Sequence, residues 1–353
     1  MSLTLSFFRS ALSGLMLVSC ASAIAAPSKI LFGSCGHQDK AIPIFDAINK
    51  EQADLFMFLG DNIYGDTEDM SVLADKYQRL GQKPGFKTLR ANTPIIAMWD
   101  DHDYGENDAG SEYPKKQQSR KIMLDFWQEP ADSARRTRED GIYTSYTYGE
   151  GEQTVKVIMP DLRFNRTPLN HVSAMTYQLE RKPAKQGPYS PTTDKNASML
   201  GESQWQWLEQ ELKSDEKIKI IASSLQLLAD FTGWESWANY PADRERLFAL
   251  IKKHKVNGVM IVSGDTHWGE LSKYQQNLDY PLYEMTSSGL TEKWKDVSPN
   301  KHRVGDYTHE VNYGDLTIDW QKADPTIRIA LKGIKGDEIM HTEFALSTIS
   351  PYQ

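Results

Sequence analysis

The chain has 353 residues, 39% of them hydrophobic and 25% charged, the composition of an ordinary globular protein long enough for one large α/β domain or two. Its formal net charge of −8 argues against a nucleic-acid scaffold binder, which needs a basic stripe. It does not exclude a small phosphorylated substrate, because bound cations can dominate a local field.

The first 25 residues read as a secretory signal peptide. Arg9 precedes an apolar core from Ala11 to Val18, and Ala21-Ser22-Ala23-Ile24-Ala25-Ala26 supplies small residues for cleavage, with Ala26 left first. The apolar core is too short for a transmembrane segment. Leu17-Val18-Ser19-Cys20 resembles a lipobox, so a lipid anchor at Cys20 is the alternative; it would leave almost no tether before the first strand at Lys29. No Arg pair precedes the core, which favours the general secretion route. The expected location is periplasmic or secreted, with an outer-membrane or surface lipoprotein as the alternative. Of the 2 Cys, only Cys35 belongs to the exported part, so an intramolecular disulfide is excluded there.

No linker, repeat or low-complexity block divides residues 26–353, and they are expected to form a single domain. A strand over 29–32 runs into Gly33-Ser34-Cys35. Asp39 is expected to cap a helix carrying Ile42, Phe45 and Ile48 at helical spacing. Phe56-Met57-Phe58-Leu59 is a buried strand that stops at Gly60-Asp61-Asn62-Ile63-Tyr64. After a helix over 70–80, Ile95-Ile96-Ala97-Met98-Trp99 stops at Asp100-Asp101-His102-Asp103. A helix over 116–127 ends before Pro130, and strands follow at 155–159 and 217–222. Between these two strands, a helix over 203–212 is expected to present Trp207, Leu208 and Leu212 on one face. A strand over 258–262 stops at Ser263-Gly264-Asp265-Thr266-His267, and another covers 282–285. Alternation in 316–320 and 326–330 predicts a closing antiparallel pair. The fold class is α/β, α+β-like: a two-sheet β-sandwich flanked by helices, with strand order left open.

Three apolar runs that end on oxygen and imidazole ligands predict a two-metal hydrolase site at their carboxyl ends. Asp61 and Tyr64 can share one ion, and the second carboxylate oxygen of Asp61 can bridge to another. A phenol ionises only near pH ~10, so a tyrosinate ligand favours Fe(III) over Zn or Mg. Asp265 and His267 leave one turn side by side, the former suited to a harder ion and the latter to a transition metal. If Asp101 is a ligand, His102 is aimed past the metals to donate a proton, with Asp103 orienting its ring. The aromatic stretch from Phe231 to Trp237 reads as core packing, with an apolar substrate wall as the alternative.

At these residues the chain resembles the PhoD-like family within the metallophosphoesterase superfamily. The resemblance runs from Leu31 to about Leu290. It rests on Gly33-Ser34-Cys35, the Gly60 to Asp66 segment, Trp99 to Asp103, Asp161-Leu162-Arg163, the Leu200 to Leu208 segment and Ser263 to His267. The wider superfamily opens on Asp-x-His; this chain has Cys35 there, as PhoD-like members do. The resemblance implies a dinuclear centre with iron on Cys35, Asp61, Tyr64 and His267. Asp61 would bridge to a calcium-like site completed by Asp101 and Asp265, where Mn or Zn is also allowed. It further implies His102 as catalytic acid, Arg163 and Arg166 as cations on the phosphate, and Asn107 as a substrate-side residue. The expected activity is phosphomonoester hydrolysis of the alkaline-phosphatase type. A phosphodiesterase acting on lipid or nucleotide diesters is the alternative, and a non-catalytic metal- or phosphate-binding exported protein is the rival from another class.

Overall fold

The computed structural model describes residues 25–352. The expected signal segment up to Ile24, with Arg9 and Cys20, lies outside the described residues. The strands in chain order are β1 (Lys29–Gly33), β2 (Leu55–Leu59), β3 (Ile95–Met98), β4 (Thr144–Glu150), β5 (Gln153–Met159), β6 (Asn170–His171), β7 (Tyr189–Ser190) and β8 (Ile218–Ser223). They continue as β9 (Val259–Ser263), β10 (Gly269–Tyr274), β11 (Leu282–Ser287), β12 (Arg303–Thr308), β13 (Asn312–Asp319), β14 (Thr326–Gly333) and β15 (Glu338–Ala345).

Two large mixed sheets carry the fold. One has the order β15-β14-β13-β1-β2-β3, the other β12-β10-β11-β9-β8-β5-β4, and β6 pairs with β7 in a small separate ribbon. In the first sheet β1, β2 and β3 are parallel; in the second β5, β8, β9 and β11 are parallel. The expected pair over 316–320 and 326–330 is β13 with β14, and β13 lies antiparallel to β1 in the first sheet.

Strand periodicity decides which layer each residue joins. Ile30, Phe32, Met57, Leu59, Ile96 and Met98 enter one core with Val157, Ile220 and Ile261 of the second sheet. Their neighbours Leu31, Phe56, Phe58 and Ala97 join the other core, with side chains of the helices Ile44–Lys50, Met70–Gln82, Pro84–Asn92 and Lys116–Phe126. This two-sided burial explains why the sequence shows continuous apolar runs here rather than alternation. The Phe32 ring needs Gly314 beside it, since a Cβ there would lie 2.1 Å from its Cζ. Loss of such a ring costs about 3–5 kcal/mol. Helices Glu202–Leu212 and Pro241–Lys253 bring Trp205, Leu208, Leu212, Leu247 and Ile251 to the core shared with the second sheet.

Two local expectations are corrected. Asp39 caps no helix: the helix starts at Ile44 behind Pro43, whose fixed φ suits that entry, and Asp39 pairs with Arg79 at 2.9 Å. On the helix Glu202–Leu212 the core indole is Trp205, 1% exposed, while Trp207 lies partly buried against the Tyr143 ring. Among the described residues no helix is long and apolar enough to cross a membrane.

Candidate metal centre

The parallel strands of both sheets end at one rim, and their first loop residues converge there. Cys35 follows β1, Asp61 and Tyr64 follow β2, Asp100 to His102 follow β3, and Asp265 and His267 follow β9. To turn sharply out of a strand, several of them adopt the left-handed backbone that non-glycine residues rarely enter. Cys35 (φ 60°), Asp61 (50°), Asp265 (71°) and His267 (62°) are all so held. Asp66 and Asp108, also beside this rim, share the conformation. Gly60 (φ 101°) lets β2 and β3 finish side by side, because a Cβ there would come 2.5 Å from the Asp100 Cβ.

Asp61 is the hub. Its ligand atoms group with those of Cys35 and His267, with Asp101 and His102, and with Asp100, Asp101 and Asp265, each group lying within 4.8 Å of one another. The Cys35 Sγ is 3.4 Å from Asp61 Oδ2 and 3.1 Å from Ser288 Oγ. The Tyr64 hydroxyl is 3.0 Å from His267 Nε2, so the phenol joins the Cys35 side of the hub. Asp265 lies on the Asp101 side.

The electrostatics fit cations. Burial and then Asp101 push the Asp61 carboxyl well above its ordinary range; burial, Asp100 and Glu235 do the same to Asp265. Burial, followed by Asp61, raises the Cys35 thiol, and burial with Cys35 raises the Tyr64 phenol. Burial lowers His267 to about 4, which keeps its ring neutral and able to ligate. Carboxylates, a thiol and a phenol packed this closely resist ionisation until a cation joins them. Asp100 Oδ2 is buried without a hydrogen-bond partner among the described residues, while its Oδ1 accepts from Arg163 and Ser224. The donor set of thiol, phenol, imidazole and bridging carboxylate suits a transition metal on one side of Asp61. The all-carboxylate set suits a harder ion on the other.

His102 lines the resulting cleft of about 200 Å³. Its Nδ1 meets Asp66 Oδ1 at 2.7 Å, and its Nε2 lies 4.0 Å from Asp101. Burial disfavours the charged ring, yet Asp101, Asp61 and Asp66 lift it to about 11. Asp103 is therefore corrected: it does not touch the ring. It accepts hydrogen bonds from the Asp100, Asp61 and Asn62 amides, bracing the two ligand loops, and burial raises its carboxyl to about 7.

Arg163 and Arg166 are corrected as well. Both are fully buried and away from the cleft lining. Arg163 donates to Asp100 at 2.6 Å and to Glu235 at 2.8 Å, and its Nη2 lies 3.4 Å from Asp101. Arg166 lies 3.2 Å from Glu235 and donates to the Asp108 carbonyl. They hold the carboxylates in place from beneath. Asn107 is exposed on the cleft lining, as a substrate-side residue would be.

Asp66, Asp108, Glu235 and Asp100 enter the site without a sequence signal strong enough to assign them. Asp66 and Asp100 had a pointer, their places in the segments that begin at Gly60 and Trp99. The aromatic stretch divides: Trp237 is core, its indole N–H donating to Ser223, whereas Trp234 lines the cleft.

A family model described as PhoD-like phosphatase matches residues 30–324. Alkaline phosphatase D of Bacillus subtilis (strain 168) is 25% identical over 301 residues, which cover 73% of this chain and 48% of that protein. The chain thus spans about half the length of this curated relative. Among solved structures, that of PhoD is similar with a TM-score of 0.68 and 18% identity, over 92% of this chain and 70% of the other. A dimetal phosphatase from Danio rerio gives 0.54 and 13%, over 91% and 100%. At such identities these two likenesses speak for the fold.

Proposed function

The chain belongs to the PhoD-like phosphatase family, and from that premise we propose that it hydrolyses phosphoric esters with a dinuclear metal centre shared through Asp61. The observation that carries this reading is the position of Asp61, within ligand reach of Cys35 and His267 on one side and of Asp101 and Asp265 on the other. Cys35, Asp61, Tyr64 and His267 would hold Fe(III). Asp61, Asp101 and Asp265, joined by Asp100, would hold calcium, with Mn or Zn as alternatives. Bound there, the ions supply Lewis acidity that clamps phosphate oxygens and activates water.

The chain's own groups do the rest. His102 holds a proton over the cleft, and Asp66 fixes its ring and favours the imidazolium. With ions held beside it, that imidazole would be brought back down towards a range where its proton can leave. Water attacks phosphorus in line, the ester P–O bond breaks, and the His102 proton passes to the departing alkoxide. Arg163 keeps Asp100 and Asp101 aimed at the centre without touching phosphate.

A second reading, hydrolysis of diesters, is favoured by one observation. Among the described residues no Lys or Arg lines the cleft, so a diester monoanion meets less uncompensated charge there than a monoester dianion. Simple metal or phosphate scavenging needs no oriented proton donor, and the His102–Asp66 pair speaks against it. We further propose export to the periplasm or medium on the strength of the leader, lipid anchoring at Cys20 being the alternative. Residues 26–353 are read as one domain because loops of both sheets build one cleft.

The test is elemental analysis beside the visible spectrum and an ester panel. The expected result is iron near one per chain, a second metal, a charge-transfer band lost in Tyr64→Phe, and turnover abolished by chelation. A chiral phosphate substrate should be inverted; retention would sink direct attack by water. A fully metallated protein inert towards mono- and diesters alike would overturn the hydrolase reading.

A further inference from the structure

The chain has 9 Trp, and they divide by environment. Trp99, Trp127, Trp205, Trp207, Trp237 and Trp320 join or pack against the two hydrophobic cores. Trp234, Trp268 and Trp294 join neither core, and these same three line the cleft over the candidate metal centre. Trp268 is itself buried, 1% exposed, whereas Trp234 is only half-buried and Trp294 stays open to solvent, so these last two leave large aromatic surface at the cleft instead of in a core.

Each is tied to the site's own framework. Trp268 follows His267 directly. The Trp294 amide donates to the His267 carbonyl at 2.9 Å, so its loop is pinned to the ligand loop. Trp234 precedes Glu235, which holds both buried arginines. Trp234 and Trp294 meet edge to face, 5.4 Å between centroids at 78°, and Trp294 remains 38% exposed. The cleft they border, about 200 Å³, leaves room beside a phosphate group for part of its ester substituent.

We propose that Trp234 and Trp294, backed by the buried Trp268, form a wall that binds a planar aromatic group on the phosphate ester, an aryl or nucleobase-bearing substrate, with Trp294 setting specificity. The proposal rests on the hydrolase reading for the place of the phosphate. Rigid indoles with two side-chain torsions lose little entropy on contact, and their π-faces prefer another ring to an aliphatic chain of equal carbon count. An acyl or alkyl chain would gain only from area. The two sources therefore give opposite orders of affinity, because a six-carbon chain is the more hydrophobic group.

The experiment is calorimetric titration of the metal-loaded protein with phenylphosphonate and hexylphosphonate, which carry six carbons each and are not turned over. Wild type should bind the phenyl compound about two- to tenfold tighter. In Trp294→Ala this ratio should fall towards one, and Trp294→Phe should restore most of it. Equal or stronger binding of the hexyl compound, a ratio unmoved by Trp294→Ala, or no binding of either compound overturns the wall. Because binding is read without turnover, the two readings part. Phenyl preference without hydrolysis of any ester fails the hydrolase reading alone. Turnover without phenyl preference fails the wall alone.

Discussion

Two charge clusters in this molecule, one partly and one fully buried, are built on opposite principles. In one, Glu51 and Asp315 meet Lys29 and Lys332, with Lys332 Nζ 2.7 Å from each acid and the Tyr313 hydroxyl donating to Glu51. Acids and cations balance, and although burial would raise it, contact with Lys29, Lys332 and Tyr313 takes Glu51 down to about 2. In the other, around Asp61, carboxylates crowd together and burial drives Asp61 and Asp265 up. The arginines that could neutralise the second cluster lie behind it and serve Asp100, Asp101 and Glu235. A charge cluster that closes on itself holds strands together. One left open, on strained backbone at the end of parallel strands, is arranged for a partner from solution.

The sharpest way to break this contrast is Asp61→Asn. On the dinuclear reading proposed above, loss of this carboxylate should empty both metal sites and lower turnover by at least about a thousandfold, on the scale of a lost metal mechanism. The same change should raise the melting temperature of chelator-stripped protein, since burial and Asp101 force the Asp61 carboxyl to take up a proton on folding at neutral pH, a cost the amide does not carry. A gain near 1 kcal/mol would appear as about 2–4 °C. Metal analysis and calorimetry of both forms check this. A stripped variant less stable than stripped wild type would mean that the Asp61 cluster is structural after all.

His102→Ala should keep both metals and reduce kcat about 10²- to 10⁴-fold on alkyl esters, with little loss on esters whose leaving group needs no proton. Loss of iron from this variant would make His102 a ligand. Asp66→Asn is expected to be milder, about tenfold in kcat on the same alkyl esters, because the ring keeps its place but loses the carboxylate that orients it. If Asp66→Asn matched His102→Ala, the carboxylate would have a role beyond orientation.

The sequence makes the open cluster more legible than the closed one, for a physical reason. A parallel strand buried on both faces must be apolar throughout, so its end is marked by the first polar residue, and that residue lies at the functional rim. Cys35, Asp61, Asp101 and Asp265 stand at such ends and are found together in the structure. Arg163 shows the limit: a motif gives its place in the chain but not its depth, and it turns out to face three carboxylates under the cleft. Asp66, Asp108, Glu235 and Trp294 arrive from loops whose meeting depends on strand order, which periodicity does not encode. Trp205, Leu208 and Leu212 stand at the i, i+3, i+7 spacing that buries one helical face, whereas Trp207, next to Leu208 in sequence, lies about 100° round from it. Pro43 outranked Asp39 because it presets the first helical turn.

The closed cluster yields the smallest predicted effect and the cleanest sign. Glu51 loses its proton near 2 in the folded chain against an ordinary 4.5. Between those values the unfolded chain binds more protons, so the contribution of Glu51 is complete above about pH 4.5 and drains away as pH falls towards 2. Glu51→Gln should therefore melt lower than wild type at pH 7, by about 2–4 °C once solvent screening of this partly exposed pair is allowed for. The gap between the two proteins should narrow through the acid window and close near pH 2. Metal content and ester turnover should not change with it, because Glu51 ties the helix Ile44–Lys50 to β13 and β14 and touches no residue of the cleft. A gap that persisted undiminished at pH 2 would assign the loss to packing rather than charge. A Glu51→Gln protein that lost metal would join the two clusters into one system and remove the distinction drawn between them.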